Sequence, residues 1–154
     1  MYRREMIRMT TDEVDGFLAG RHTMNLGTQN HDGTIHLVAM WYGFTPDGAI
    51  GFETFAKSQK VLNLRRDDRV TALVEAGDSY PTLRGVELVG RMELTDDHET
   101  LMGIAESVLA RYHPEIAEAD RRPAAELMVQ KRIAMVLRVE RTVSWDHRKL
   151  DGGY

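Results

Sequence analysis

Two lysines and a serine at the start of a short predicted helix have the clearest chemical potential in this chain. Residues 53–64 are typical of a β-strand that runs into a helix, with Ser58 as the N-cap and Lys57 and Lys60 beside it. A helix N-terminus presents unpaired N–H groups and a positive dipole end, so it favours anions and disfavours lysines. The lysines therefore indicate a site for an external anion such as a phosphate. The alternative is two solvated lysines on a surface helix, since the segment lacks the glycines of a P-loop.

The rest of the sequence offers little catalysis by protein side chains. It contains no cysteine, which excludes disulfides, cysteine nucleophiles and thiolate metal sites. The six histidines lack ligand spacing, and no nucleophile-elbow, Walker A or dinucleotide-binding motif is present. We therefore predict no metal site from local motifs. The alternative is a metal site formed by residues that are distant in sequence. An anion site without catalytic side chains favours a cofactor that carries the chemistry and that the protein binds and orients.

The predicted strand over residues 34–44 offers such a cofactor a surface. Its side chains alternate between two faces. One face carries His36, Val38, Met40 and Tyr42, and the other carries Leu37, Ala39, Trp41 and Gly43. This mixture of large and small side chains can form a flat slot for an aromatic ring. The alternative is barrel core on one face and a dimer contact on the other.

Residues 144–149 form a second candidate segment near the C-terminus. Trp145 can anchor an interface, and Arg148 and Lys149 can bind a carboxylate or an anionic tail. The alternative is a solvated segment with one packed tryptophan.

Composition limits the classes of protein that the chain can belong to. With 154 residues, 42% of them hydrophobic and 29% charged, it is expected to form one soluble domain over residues 1–154. The net charge of −4 gives no general attraction to nucleic acid or to acidic membranes. No run of apolar residues is long enough to span a membrane, and residues 1–6 lack the apolar core of a signal peptide. We therefore expect a cytoplasmic protein.

Short strands joined by hairpins are expected to position these residues. A helix begins at the capping box of Thr10 and Glu13 and ends at Gly20. Strands are predicted over 22–29, 34–44, 49–55, 69–76, 83–95 and 133–145, and helices over 58–66, 96–112 and 124–132, with a polar loop over 115–123. Six strands with few helices favour a mainly β fold, a six-stranded antiparallel split β-barrel with peripheral helices, because closure removes free edges.

A pattern spread over residues 20–150 carries a family resemblance. It comprises Thr54, residues 57–60, residues 63–67, Arg69 and Val70, together with residues 36–42, 80–86 and 144–150. These segments resemble the split β-barrel flavin and deazaflavin oxidoreductases, relatives of pyridoxamine 5′-phosphate oxidase. The closer resemblance is to the branch that uses coenzyme F420.

The resemblance implies a homodimer with two cofactor sites at the subunit interface. It implies that the cofactor phosphate lies among Thr54, Lys57, Ser58, Gln59, Lys60 and Asn63. It implies that the ring system lies along His36, Ala39, Met40 and Trp41, partly against backbone groups. Ser58 stands where many relatives have arginine, so Lys57 is expected to supply the missing charge, and Asp68 replaces a proline of the turn that follows. Arg84 and Trp145 complete the predicted cofactor-binding set.

Within this family, the expected reaction is hydride transfer between F420 and an unidentified small organic acceptor. Tyr42, His36 and His147 are candidate proton donors, and solvent is the alternative. Vitamin B6 oxidation is not expected, because the C-terminal Arg-Leu pattern of the pyridoxamine phosphate oxidases is missing.

Two other functions remain open at this stage, namely an FMN-dependent oxidoreductase and a non-catalytic carrier of haem or a lipid-like ligand. F420 differs from FMN in its carboxylates beyond the phosphate, for which Lys57, Arg65 and Arg84 are available.

Overall fold

The computed structural model describes residues 2–150, so Met1 and residues 151–154 of the predicted domain lie outside it. The helices are α1 (Arg3–Met6), α2 (Thr11–Ala19), α3 (Gln59–Arg66), α4 (His98–Tyr112) and α5 (Glu118–Met128). The strands are β1 (Met24–Gln29), β2 (Ile35–Met40), β3 (Gly43–Phe44), β4 (Ile50–Phe55), β5 (Arg69–Ala76), β6 (Arg84–Thr95) and β7 (Arg132–Asp146). None of the helices in this part of the chain is long and apolar enough to cross a membrane.

One antiparallel sheet curls into the predicted split barrel. Its strand order is β2-β1-β5-β6-β7-β4-β3. The two edge strands, β2 and β3, are consecutive in sequence and separated only by Trp41 and Tyr42, so the chain itself joins the two edges. This arrangement confirms the predicted mainly β, split-barrel class.

The strand count differs from the prediction because residues 34–44 do not form one continuous strand. The segment bends at Trp41 and Tyr42, and its first part pairs with β1 while its second part pairs with β4. Tyr42 enters the barrel core, where it is 0% exposed, and its hydroxyl donates a hydrogen bond of 2.6 Å to the carbonyl oxygen of Leu18. This buried contact turns one predicted strand into two, giving seven strands in residues 2–150.

The barrel remains split between β2 and the second half of β4. Over Phe52–Phe55, β4 pairs with β7 on one side, and within residues 2–150 no strand pairs with its other side. The outer edge of β2 is likewise unpaired in this part of the chain. The α3 helix follows β4 and crosses to β1, where Asn63 donates hydrogen bonds to Thr28 and Asn30. The split therefore lies between two free strand edges beside α3.

Two apolar clusters hold the fold together. The first fills the barrel and includes Leu26, Phe52 and Met135, each 0% exposed. The second packs α4 and α5 on the outer face of β7 and β4. Gly43 permits this close approach, because a Cβ there would lie 2.8 Å from the Cβ of Ser107. The helices therefore brace the outside of the barrel, on β3, β4 and β7.

The region before β7 also differs from the prediction. The predicted polar loop over 115–123 is wrong, since α5 already begins at Glu118 and contains Pro123. Acidic residues in the first turn suit the helix dipole, and Arg122 forms ion pairs with Glu99 and Glu106 of α4. Burial of Ala125 and Val129 in the second apolar cluster holds the helix despite the proline, and the exposed ion pairs add about 1 kcal/mol or less. The helix predicted over 124–132 ends at Met128, and β7 begins at Arg132.

Candidate functional site

Lys60 lies in the first turn of α3 and is nearly buried, with 8% of its surface exposed. Within residues 2–150, no carboxylate lies within ion-pair distance of its ammonium group. Burial lowers the pKa of Lys60, nearby Arg132 lowers it further, and the Glu53 carboxylate partly opposes both effects. A nearly buried cation without an anionic partner is energetically unfavourable, so the position is suited to an anionic ligand.

Two further hydrogen-bond donors near the start of α3 lack acceptors. The Ser58 hydroxyl is buried at the N-cap position, yet it makes no capping hydrogen bond and has no other partner among the described residues. The Nε atom of Arg132 is also buried without a partner in that part of the chain. Lys60, Ser58 and Arg132 thus provide three donors for an anion, as a phosphate requires.

Arg132 is a candidate site residue that the sequence interpretation missed. It pairs with Phe55 in the sheet, and its guanidinium carbon lies 4.1 Å from the centre of the Phe55 ring. Its Nη1 atom donates a hydrogen bond of 2.6 Å to Glu53. Burial raises the pKa of Glu53, and Arg132 opposes that rise. Glu53 therefore balances Arg132 and leaves the charge of Lys60 unmatched.

The side-chain amide of Asn63 is engaged in hydrogen bonds within the protein, so it supports the site by anchoring α3 rather than by binding a ligand. It is 0% exposed, and its Nδ2 atom donates hydrogen bonds of 3.1 Å to Thr28 and 2.9 Å to Asn30. Its Oδ1 atom accepts a hydrogen bond of 2.9 Å from Gln59. These bonds fix the orientation of α3 on the barrel. Asn63 thus positions the start of the helix.

The other residues predicted around the phosphate have different degrees of exposure. Thr54 is buried on β4, directly before the start of α3, whereas Lys57 and Gln59 are exposed at the surface of that helix start. All of them lie at one end of the barrel, so the structure brings the predicted phosphate residues together.

The β2 strand presents an apolar stripe to solvent. Ile35, Leu37 and Ala39 are exposed on the strand and Trp41 directly after it, and the three large side chains, Ile35, Leu37 and Trp41, are 64%, 69% and 49% exposed. Trp41 is held by stacking on Tyr112, with ring centres 4.6 Å apart and planes inclined by 4°. His36 and Met40 are half-buried on the opposite side of the strand. The predicted alternation is therefore present up to Trp41.

Arg84 and Trp145 lie far from α3 in the fold. Arg84 pairs with Ala76 at the end of β5, and Trp145 lies on β7 at the same end of the barrel. The contact of α3 with Thr28 lies near the beginning of β5. Since β5 has eight residues at ~3.3 Å each, the two groups are separated by roughly 20 Å. This chain alone therefore does not bring the whole predicted set together.

The candidate proton donors differ in accessibility. Tyr42 is fully buried, and burial raises its pKa to about 12. This geometry argues against Tyr42 as a donor. His147 is half-buried, with its Nδ1 atom 2.9 Å from the carbonyl oxygen of Tyr80. His36 is half-buried opposite Thr28, near the phosphate residues.

The described residues show no metal cluster at this site, and a sizeable cavity lies elsewhere in the fold. Among residues 2–150, no group of three or more His, Asp or Glu side chains could hold a metal ion. A cavity of about 760 Å³ lies between α2, β3 and β7, and none of the predicted cofactor residues lines it.

Sequence comparison defines the class of protein. A family model described as pyridoxamine 5′-phosphate oxidase matches residues 10–146, so the chain belongs to this family. A search of curated proteins found no match.

Among solved structures, the chain is 42% identical to the conserved hypothetical protein Rv2991 from Mycobacterium tuberculosis. That match covers 100% of this chain and 95% of the other, with a TM-score of 0.92. An F420 reductase is 22% identical, with a TM-score of 0.59 and coverage of 83% and 94% of the two chains. HutZ, a haem storage protein from Vibrio cholerae, is 13% identical, with a TM-score of 0.66 and coverage of 87% and 94%. The last two similarities show the shared fold alone.

Proposed function

We propose that this protein is an F420-dependent oxidoreductase that transfers a hydride between the deazaflavin and a small organic acceptor. The observation that carries the proposal is the unmatched charge of Lys60 beside the unpartnered donors of Ser58 and Arg132. A phosphate at the start of α3 would satisfy all three groups.

The free strand edges provide the rest of the cofactor surface. Within residues 2–150 no strand pairs with the outer edge of β2, and the exposed side chains of Leu37 and Ala39 on this strand and of Trp41 directly after it lie along that edge. An aromatic ring placed along β2 would meet hydrogen-bonding groups and an apolar surface, while its phosphate reached Lys60. When bound, the reduced deazaflavin supplies the hydride from its ring. His36, His147 or solvent would supply the proton, with His36 the nearer histidine in the same protomer.

A homodimer explains why the predicted residues form two separate groups. A two-fold axis that brought the Trp145 end of one barrel to the Lys60 end of the other would unite both groups at each of two sites. The same contact would cover the apolar side chains of Ile35, Leu37 and Trp41. An interface with an aromatic anchor and an apolar centre is typical of stable dimers.

Titration of the purified cofactor-free protein distinguishes the two candidate cofactors. We expect F420 to bind more tightly than FMN, since only F420 extends carboxylates beyond the phosphate toward the exposed Lys57 and Arg65. Quenching of cofactor fluorescence measures both affinities, and Glu118→Gln on the distant α5 serves as an unaffected control. Tight binding of FMN without any binding of F420 would contradict the proposal.

A turnover assay with reduced F420 distinguishes an enzyme from a non-catalytic carrier. If the protein binds reduced F420 but a panel of quinones, enones and tetrapyrroles leaves the cofactor reduced, carriage replaces catalysis as the function. Haem titration in the same experiment tests the carrier alternative directly.

Mixing two inactive variants tests the shared site. We expect Lys60→Ala and Trp145→Leu homodimers each to bind cofactor poorly. After unfolding and refolding together, random pairing should restore roughly a quarter of the wild-type sites, because each mixed dimer holds one intact site of two. Cofactor binding per protomer measures the recovery, and refolding each variant alone is the control. Absence of recovery, with mixed dimers verified by mass, would show that Lys60 and Trp145 do not meet across the interface.

A further inference from the structure

A second binding site is suggested by two cavities that meet beside α2. The larger one, of about 760 Å³, lies between α2, β3 and β7. Its floor includes Leu88 and Leu137, each 2% exposed, so it reaches the barrel core. Phe44, Ile50 and Leu18 also line it, together with the charged side chains of Asp15, Asp47 and Arg138. The volume is typical of pockets for small ligands, and the mostly apolar wall is suited to an apolar ligand body.

The smaller cavity has a different chemistry. It measures about 560 Å³, and Arg4, Arg8 and Arg141 line it together with the hydroxyl-bearing Thr11 and Ser144. Among the described residues, none of these three arginines lies within ion-pair distance of a carboxylate. Asp15 is the one acidic side chain in the lining. The cavity thus carries an excess of positive charge on groups that bind carboxylates in a fork geometry.

The two cavities are adjacent, since Val14, Asp15 and Thr142 line both of them. A mostly apolar cavity beside an arginine-lined one matches a molecule with an apolar body and a negative head. We infer that this composite cavity binds a long-chain carboxylate, with its chain against Leu88 and Leu137 and its head group among the arginines. A concave cavity that reaches the barrel core suits a flexible chain better than the flat surface of another protein.

The two cavities lie apart from the residues proposed to hold the cofactor phosphate. Neither cavity is lined by Lys60, Ser58 or Arg132. Those residues lie where β4 ends and α3 begins, whereas the larger cavity is lined by Ala49 and Ile50, at the opposite end of β4. Loss of phosphate binding at Lys60 should therefore leave carboxylate binding unchanged. Loss of carboxylate binding should likewise leave phosphate binding at Lys60 unchanged.

Calorimetric titration with dodecanoate, below its micellar concentration, tests the inference. We expect one dodecanoate per protomer, with no binding of acetate, which lacks the chain, or of dodecyltrimethylammonium, which reverses the charge. Arg141→Ala should weaken dodecanoate binding by about tenfold or more, since it removes a charge-assisted hydrogen bond. Arg21→Ala, which removes an exposed arginine outside both cavities, is the matched control and should have no effect.

Two further variants make the result specific. Val139→Trp should block the apolar cavity, because Val139 lines it and is exposed enough (45%) to accept a larger side chain without unfolding. Lys60→Ala should bind dodecanoate as the wild type does. Equal binding of dodecanoate and dodecyltrimethylammonium, or unchanged binding in Arg141→Ala, would overturn the inference, as would loss of dodecanoate binding in Lys60→Ala.

Discussion

Replacing Lys60 with methionine is expected to stabilise the cofactor-free protein and to weaken cofactor binding. Lys60 is 8% exposed, no carboxylate in residues 2–150 lies within ion-pair distance of it, and Glu53 only partly offsets the cost of burial, so its charge opposes folding while the site is empty. Methionine keeps most of the apolar chain and removes the charge. We expect the free energy of unfolding to rise by about 1 kcal/mol, since replacing a poorly compensated buried charge by an apolar group is often stabilising.

The same substitution should cost about 1.5–3 kcal/mol in binding of any phosphate-bearing cofactor, the range for a hydrogen bond to a charged group. That loss corresponds to roughly a ten- to 150-fold weaker affinity. Denaturant unfolding measures the stability, and fluorescence titration measures the affinity. Lys57→Met, on the exposed neighbouring lysine, is the control and should leave the stability nearly unchanged. A less stable Lys60→Met protein with unchanged affinity would contradict both the charge argument and the phosphate site.

The stability effect of Lys60 should also depend on pH. Because burial lowers the pKa of Lys60 in the folded protein, the unfolded chain holds this proton more tightly. The stability of the wild type should therefore rise, relative to Lys60→Met, as the pH increases from the lowered value toward 10.5, the ordinary pKa of lysine. The difference in stability between wild type and variant should be largest at neutral pH and disappear above this window.

Replacing Arg111 with alanine is expected to lower the free energy of unfolding strongly, and far more than replacing the surface residue Arg122. Its guanidinium donates hydrogen bonds of 2.9 Å to Tyr42, 3.0 Å to Ala19 and 2.9 Å to Gly20, all to backbone carbonyl oxygens. It also lies 4.6 Å from the centre of the Tyr42 ring. Arg111 thus joins α4 to the end of α2 and to the bend that closes the barrel. We expect a loss of about 3–5 kcal/mol, because several partly buried carbonyls lose their donors at once.

Arg122→Ala is the matched control for Arg111→Ala. Arg122 also contacts α4, but through ion pairs with Glu99 and Glu106 at a side-chain exposure of 51%. Exposed ion pairs of this kind contribute about 1 kcal/mol or less. Thermal or urea unfolding of both variants gives the comparison. Equal losses in the two variants would show that the contacts of Arg111 contribute no more than a surface ion pair.

Local signals in the sequence predicted much of the fold. The capping box at the start of α2 is formed, because Thr10 and Glu13 need only each other's backbone. The β5 strand matches its predicted range, residues 69–76, since its alternating side chains report directly on one buried face. The bend at Tyr42 was missed because it depends on a hydrogen bond to Leu18, far away in sequence.

The residues of the candidate site likewise fall into those predicted from local sequence features and those missed because they depend on long-range contacts. Ser58 and Lys60 were predicted from the sequence, because a helix start with the wrong charge is a local feature. Arg132 was missed because it reaches the site only through the pairing of β7 with β4 and its ion pair with Glu53. The network of Asn63 with Thr28 and Asn30 likewise joins segments that are distant in sequence. Periodicity cannot reveal such contacts, since it reports on one element at a time.

The position of β7 in the sheet has a consequence for folding during synthesis. This strand pairs with β6 on one side and with β4 on the other, so β4 lacks its main partner until residues 132–136 are available. The pairing connects segments about 80 residues apart, which slows folding. While the ribosome produces the helices between β6 and β7, the nascent half-barrel exposes its interior and an unpaired edge. That interval is when it is most exposed to aggregation and when a chaperone would have most effect.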